Sequence, residues 1–110
     1  MKKIEELSEI FKALSDPTRL QLIQLLSEQP TSVCPGESCN GRKFLCVNAL
    51  AHKLEVTQSA VSQHLRVLRQ VGLVHGARHG RFMHYSLDRD GLERYRAILV
   101  ETLGKEFVTE

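Results

Sequence analysis

Residues 56–87 read VTQSAVSQHLRVLRQVGLVHGARHGRFMHYSL and contain no Asp and no Glu. All 13 acidic residues of the chain lie outside this stretch, while four Arg (Arg66, Arg69, Arg78, Arg81) and four of the five His (His64, His75, His79, His84) lie inside it. In a chain that is 25% charged, so long a window without an acid marks a surface suited to a polyanion. The stretch also has an internal order: helix, glycine, strand, basic turn, strand. Thr57 can cap a helix over residues 58–70, and Gly72 ends it. Residues 73–78 and 82–87 predict two short strands around a turn at His79-Gly80-Arg81.

On the predicted helix, Val61, Leu65 and Leu68 fall at i, i+4 and i+7 and face inward. Advancing about 100° per residue puts Ser59, Ser62, Gln63, Arg66 and Gln70 on the opposite face. Gln pairs with adenine, Arg with guanine or phosphate, and Ser with base edges or phosphate. Gln58, Ser59, Ser62 and Gln63, near the capped end at Thr57, are placed for base edges, and Arg66 and Arg69 for phosphates. At the hairpin tip, Arg78 and Arg81 are candidate phosphate contacts, contributing affinity more than sequence choice. A merely solvated helix face is the plain alternative, and the basic hairpin directly downstream weighs against it. His64 lies at the edge of the buried face beside Val61 and Leu68. It reads either as a partly buried imidazole bonded within the domain or as a DNA contact.

Working outward, a segment over residues 46–54 precedes the turn Glu55-Val56-Thr57. Two helices joined by so short a turn are the core of a helix-turn-helix. Further upstream, Ile4, Leu7, Phe11 and Leu14 make an apolar stripe on a helix over residues 3–14. Ser15-Asp16-Pro17 stops that helix and starts the next: Asp16 caps, and Pro17 fits the first helical position. Leu20, Leu22, Ile23 and Leu26 supply the buried face of this second helix, to about Ser27. A loop over residues 28–42 follows, with Pro30, Pro35, Gly36, Asn40 and Gly41 as breakers. Downstream, Asp88 or Asp90 starts a last helix to about Phe107, with Leu92, Tyr95, Ile98, Leu99, Val100 and Leu103 as its apolar positions.

The bulk figures are consistent with this. A chain of 110 residues is one small domain, whose modest core favours help from a second chain. The net charge of +2 is slight, so nucleic-acid binding rests on the local patch. No apolar run approaches the roughly 20 residues of a membrane span. The segment MKKIEELSEIFKAL is amphipathic and interrupted by acids, unlike a signal peptide. The expected location is cytoplasmic, with the three Cys reduced and suited to metal or redox roles rather than structural disulfides.

Three motifs in order carry a family resemblance. Phe11-Lys12-Ala13-Leu14-Ser15-Asp16-Pro17-Thr18-Arg19 is followed by Leu20 and Leu22. Gln58-Ser59-Ala60-Val61-Ser62-Gln63-His64-Leu65 comes next, and then Leu68-Arg69 with Gly72-Leu73-Val74. Together they resemble the ArsR/SmtB family of small dimeric winged-helix repressors, from about Leu7 to Leu103. The resemblance implies an α+β, mainly α, winged helix-turn-helix of about five helices with a two-stranded hairpin wing. Its single domain, 1–110, would hold the helix-turn-helix at 46–70, the wing at 73–87, and dimerisation helices at 3–14 and 90–107. It also implies a homodimer on palindromic double-stranded operator DNA, with recognition helices about 34–36 Å apart, and repression that an effector relieves.

Many metal-sensing members carry Cys-Val-Cys on the helix before the recognition helix. Here Leu45-Cys46-Val47-Asn48-Ala49-Leu50 aligns with it, and Asn48 stands where the second Cys would be. The last helix has no His, so the family's Asp/His zinc or nickel site is not expected. That leaves Cys34 and Cys39 on the Pro/Gly loop, and Cys46 just after it, as candidate metal ligands. Three thiolates suit a soft ion such as arsenite, Cd(II) or Pb(II), whereas Zn(II) wants a fourth ligand. Two other readings stay open: a thiol redox or persulfide switch using Cys34 and Cys39, and a small organic effector. Cys46 as a simple buried core residue is the plain alternative.

No Gly-rich phosphate loop, nucleophile elbow or suggestive carboxylate pair points to an enzyme, and no catalytic cofactor is expected. A pure protein-interaction module would not need the acid-free stretch. A steep fall of DNA affinity with salt separates the DNA-binding reading from both. In the same binding assay, Arg81→Ala should weaken all DNA sequences about equally. Gln63→Ala should relax one base preference, and unchanged specificity would remove it from the base-reading set.

Overall fold

A computed structural model describes residues 2–28, 45–79 and 82–104. Two helices come first, α1 (Lys2–Leu14) and α2 (Pro17–Ser27). A short strand β1 (Leu45–Cys46) leads into α3 (Val47–Leu54) and α4 (Gln58–Gln70). Strands β2 (Val74–His79) and β3 (Phe82–Leu87) form the wing, and α5 (Arg89–Leu103) follows. The expected helices over 3–14, to Ser27, and over 58–70 are therefore present. The last helix ends at Leu103, and Phe107 lies outside the described residues.

Local chemistry sets these boundaries. The Asp16 carboxylate accepts from the Thr18 and Arg19 amides and Pro17 takes the first helical position, so α1 and α2 meet at a sharp corner. The Thr57 hydroxyl accepts from the Ala60 amide, and Asp88 caps α5 by accepting from the Gly91 amide. Between α3 and α4, Glu55 adopts φ 56°, and the Val56 amide closes back on the Ala51 carbonyl. A left-handed residue other than glycine costs on the order of 1 kcal/mol, which the buried packing on both sides of the turn holds in place. Gly72, with φ 82°, ends α4: the Leu73 amide bonds the Leu68 carbonyl in a Schellman closure.

The wing is antiparallel, with Val74 opposite Leu87 and His79 opposite Phe82. The expected tip was His79-Gly80-Arg81, of which Gly80 and Arg81 lie outside the described residues. The sheet has one strand more than the expected hairpin. Leu45 pairs with Tyr85 and Cys46 with His84, giving the order β1-β3-β2. The expected helical segment starting at Cys46 therefore begins one residue later, at Val47. Antiparallel pairing with β3 satisfies backbone groups of Leu45 and Cys46 that a helix start would leave open.

The core gathers Leu22 and Leu26 of α2, Ala49, Leu50 and Ala51 of α3, and Val61, Leu65 and Leu68 of α4. Leu73, Val74, Tyr85 and Ile98 close it from the wing and α5. One expectation is corrected here. Leu20 is 50% exposed and does not belong to the buried face of α2, which is Leu22 and Leu26 with Ile23 partly buried. On α1 the residues buried within the chain are Leu7, Ile10 and Ala13, whereas Ile4 and Phe11 are 52% and 51% exposed. Helix α1 thus has one wide apolar face, of which one side enters its own core and the other, at Ile4 and Phe11, is left outward.

α5 approaches the α4–β2 turn closely. The Tyr95 hydroxyl donates to the Val71 carbonyl at 2.6 Å. A Cβ placed on Gly91 would overlap the Gly72 carbonyl oxygen, a backbone atom that cannot swing aside. Gly91→Ala is therefore expected to destabilise the fold by about 2 kcal/mol or more, read by urea or thermal unfolding. An unchanged midpoint would contradict this approach.

Candidate nucleic-acid interface

α4 is held by one side and open on the other. Val61, Leu65 and Leu68 are fully buried, while Gln58, Ser59, Ser62, Gln63, Arg66, Arg69 and Gln70 are all exposed. Helical geometry sorts the exposed residues into two rows. Ser59, Gln63, Arg66 and Gln70 point directly away from the core, and Gln58, Ser62 and Arg69 run along one flank. Thr57, also exposed, sits at the capped end. The residues expected to face DNA from this helix therefore lie on one accessible surface. No carboxylate occurs along it, and the positive end of the helix dipole lies beside Gln58 and Ser59.

His64 resolves differently from its neighbours. Partly buried, it accepts a hydrogen bond at Nδ1 from Arg19 Nε, at 3.1 Å. Arg19 Nη1 donates in turn to the Ala13 carbonyl at 3.3 Å. One guanidinium thereby ties the end of α1, the start of α2 and the recognition helix together. Of the two readings of His64, bonding within the domain is the one observed. Arg19 was not singled out in the sequence, because its partner lies 45 residues away and no local pattern announces the pair.

Asp16 belongs to the same joint. Loss of solvent around its carboxyl raises the pKa, but the Thr18 and Arg19 amides, with the electrostatic effect of His64 and Arg19, outweigh that and leave it below its ordinary value.

On the wing, Arg78 is exposed on β2 opposite Met83, and His75 is exposed two positions after Leu73. Arg81 lies outside the described residues, as do Cys34 and Cys39. Cys46 is placed by its backbone alone, in β1 and opposite the fully buried His84. Among the described residues no group of three or more His, Cys, Asp or Glu is gathered as a metal site.

Two further features were not anticipated. Gln58 Nε2 donates to Asn48 Oδ1 at 2.8 Å, joining the first turn of α3 to the first turn of α4. A cleft of about 470 Å³ opens between α1, the end of α4 and α5, lined by Glu6, Glu9, Arg19, Gln70 and Tyr95 among others.

Comparison with known proteins identifies this arrangement. Residues 40–75 match the model of the family described as bacterial regulatory protein, arsR family. The uncharacterized HTH-type transcriptional regulator YbzH of Bacillus subtilis is 36% identical over 85 residues, 76% of this chain and 85% of that protein. A transcriptional repressor SmtB homolog of Synechocystis is 38% identical over 95 residues, 86% of this chain and 61% of that protein. The arsenical resistance operon repressor of Escherichia coli is 38% identical over 79 residues, 72% of this chain and 56% of that protein. Among solved structures, an ArsR-like transcriptional regulator from Rhodococcus sp. RHA1 superposes with a TM-score of 0.70 at 27% identity, covering 97% of this chain and 87% of that one. The chain belongs to the ArsR/SmtB family of winged helix-turn-helix transcriptional regulators.

The Asp16 joint has a defined pH signature. A carboxyl whose folded pKa is depressed adds stability that is fully present above its unfolded value, near pH 4, and is lost as pH falls through the folded value. Asp16→Asn should therefore melt a few degrees below the wild type at pH 7. The gap should narrow and close as both proteins are taken progressively below the unfolded value, and a gap that persisted or widened on acidification would contradict the assignment.

Proposed function

We propose that the protein is an effector-responsive repressor that binds palindromic operator DNA as a homodimer. Release follows when a soft metal or metalloid ion (arsenite, Cd(II) or Pb(II)) is taken up by Cys34, Cys39 and Cys46. The observation that carries the DNA-binding half is the accessible, acid-free face of α4, backed by the basic wing. Thr57, Gln58, Ser59, Ser62 and Gln63 are assigned to base edges and the adjoining backbone. Arg66, Arg69, Arg78 and Arg81 are assigned to phosphates, whose neutralisation supplies the salt-dependent part of the affinity. The homodimer is supported by the outward apolar face of α1, where Ile4 and Phe11 flank a groove with Leu7, and by the exposed Leu103 at the end of α5. Burying such a face against its copy removes apolar area from water that one chain leaves exposed.

For the effector, the donor set and the relatives support the reading. Three thiols in one short span match a soft, three-coordinate ion, and one relative is the repressor of an arsenical resistance operon. Cys46 immediately precedes α3. Restraining the chain there acts on the first helix of the helix-turn-helix. An effector coupled to DNA by the usual 5- to 150-fold, about 1–3 kcal/mol, is enough to empty an operator at moderate occupancy. A small organic effector is the second reading, favoured by the cleft that Arg19 shares with α1, α4 and α5.

The experiment is an ultraviolet titration of the reduced protein with arsenite, Cd(II) and Pb(II), followed by the same ions added to the DNA complex. Expected are thiolate charge-transfer bands saturating near one ion per chain, lost in Cys34→Ser, Cys39→Ser and Cys46→Ser, with DNA released over the same range. No band with any of the three ions would remove the soft-ion reading. Oxidants and persulfides acting on Cys34 and Cys39 would then be tried, followed by organic ligands for the cleft.

A further inference from the structure

We infer that Asn48 is a positioning residue for sequence reading, holding the Gln58 carboxamide in the orientation that recognises adenine. The inference rests on the reading of α4 as the base-contacting helix and adds a residue from outside that helix. Gln58 is the first residue of α4, its backbone fixed by the neighbouring Thr57 cap. Its side chain has three rotatable bonds, and in water such a side chain samples many orientations. Here the Nε2 group donates to Asn48 Oδ1 at 2.8 Å. Asn48 is exposed itself but sits on a helix anchored by the buried Ala49, Leu50 and Ala51. The acceptor is thus a short side chain on a fixed support.

The direction of this bond decides what the amide can still do. Nε2 carries two hydrogens and Asn48 takes one. With Asn48 on the hydrogen turned away from Oε1, the second N–H and the Oε1 lone pairs are left side by side for a bidentate contact. In the major groove adenine offers the complement, an N7 acceptor beside an N6 donor. Guanine offers two acceptors, N7 and O6, and Oε1 would oppose one of them. A Gln58 held this way therefore presents one donor and one acceptor in an order set before DNA arrives. That ordering reduces the side-chain entropy lost on binding.

The test uses the full chain and a randomised duplex pool, from which the wild type selects a site. Wild type, Gln58→Ala, Asn48→Ala, Asn48→Asp and the Ala–Ala double variant are then measured on that site and on single-base-pair substitutions of it. In the wild type, replacing the adenine read by Gln58 should weaken binding about 5- to 100-fold. Asn48→Ala should lower that discrimination about 2- to 10-fold, with less effect at other base pairs. The double variant should match Gln58→Ala. Asn48→Asp keeps the acceptor, so it should keep the discrimination while weakening all duplexes through its added charge.

A uniform loss in Asn48→Ala with discrimination intact would overturn the inference. So would an Asn48→Asp that loses discrimination as fully as Asn48→Ala. If Gln58→Ala itself alters no base preference, base reading by Gln58 is wrong and the role of Asn48 falls with it. That outcome is distinct from a Gln58 that reads a base unaided.

Discussion

Burial of Val61, Leu65 and Leu68 on one side of α4 is the constraint from which the rest of the interface follows. Each is fully buried, and full burial of such a side chain stabilises by about 1.5–3 kcal/mol. Rolling the helix by one residue, about 100°, would withdraw part of this stripe and turn polar residues such as Ser62, Arg66 or Arg69 toward the core. Desolvating an unpaired guanidinium costs several kcal/mol more. The rotation of α4 is thereby fixed by its core, and its polar face is turned outward as a consequence. The outward side chains, Gln63 and Arg66 among them, are thus carried on a helix that cannot turn.

Two polar bonds refine what the apolar stripe fixes. Arg19 reaches His64 in the middle of α4 from α2, and Asn48 reaches Gln58 at its start from α3. Each net bond is worth about 1 kcal/mol, small beside the buried stripe. Their significance is directional, because they connect the recognition helix to particular neighbours. A movement of the α1–α2 corner passes to His64 through one guanidinium. A movement of α3 passes to Gln58 through one amide. The α1–α5 layer is joined separately: Lys3 pairs with Glu101 at 3.0 Å and Arg94 with Glu6 at 2.6 Å. The Lys3 pair is exposed on both sides and orients the helices more than it stabilises them, whereas Glu6 is partly buried.

Much of the architecture was legible because it is written locally. The caps at Asp16, Thr57 and Asp88, the stop at Gly72 and the i, i+4, i+7 stripe of α4 each occupy a few adjacent positions, and each is observed. The α4 face was equally legible, because an exposed face is the complement of a periodic buried one. β1 was not, since two residues show no period and only β3, some 40 residues on, reveals them as a strand. Leu20 was misassigned because Leu20, Leu22, Ile23, Leu25 and Leu26 surround α2, so periodicity alone does not single out its buried side. On α1 the stripe of Ile4, Leu7, Phe11 and Leu14 is real, yet the chain buries Leu7, Ile10 and Ala13. A helix with so wide an apolar face does not disclose which side of it its own core takes. Arg19 with His64, and Asn48 with Gln58, were invisible for a simpler reason: neither bond is a sequence-local pattern.

The shortness of the path from Cys46 to the reading head bears on how an effector would act. Cys46 is the last residue of β1, Asn48 is two residues later in α3, and Gln58 is one hydrogen bond further. Through β1, the same segment is paired to β3, and β3 is paired to the strand that carries Arg78. A strain applied at Cys46 therefore meets both the recognition helix and the wing without crossing the core. The packed interior resists deformation and transmits displacement, so α3 would move as a body rather than yield within itself. An effector acting at this segment, as proposed, need not unfold anything. Loosening a few contacts of about 1 kcal/mol each already amounts to the usual allosteric coupling of about 1–3 kcal/mol. If thiols at this segment sense the effector, as proposed, they need disturb only the weak polar bonds that orient side chains of α4, while its buried stripe stays intact.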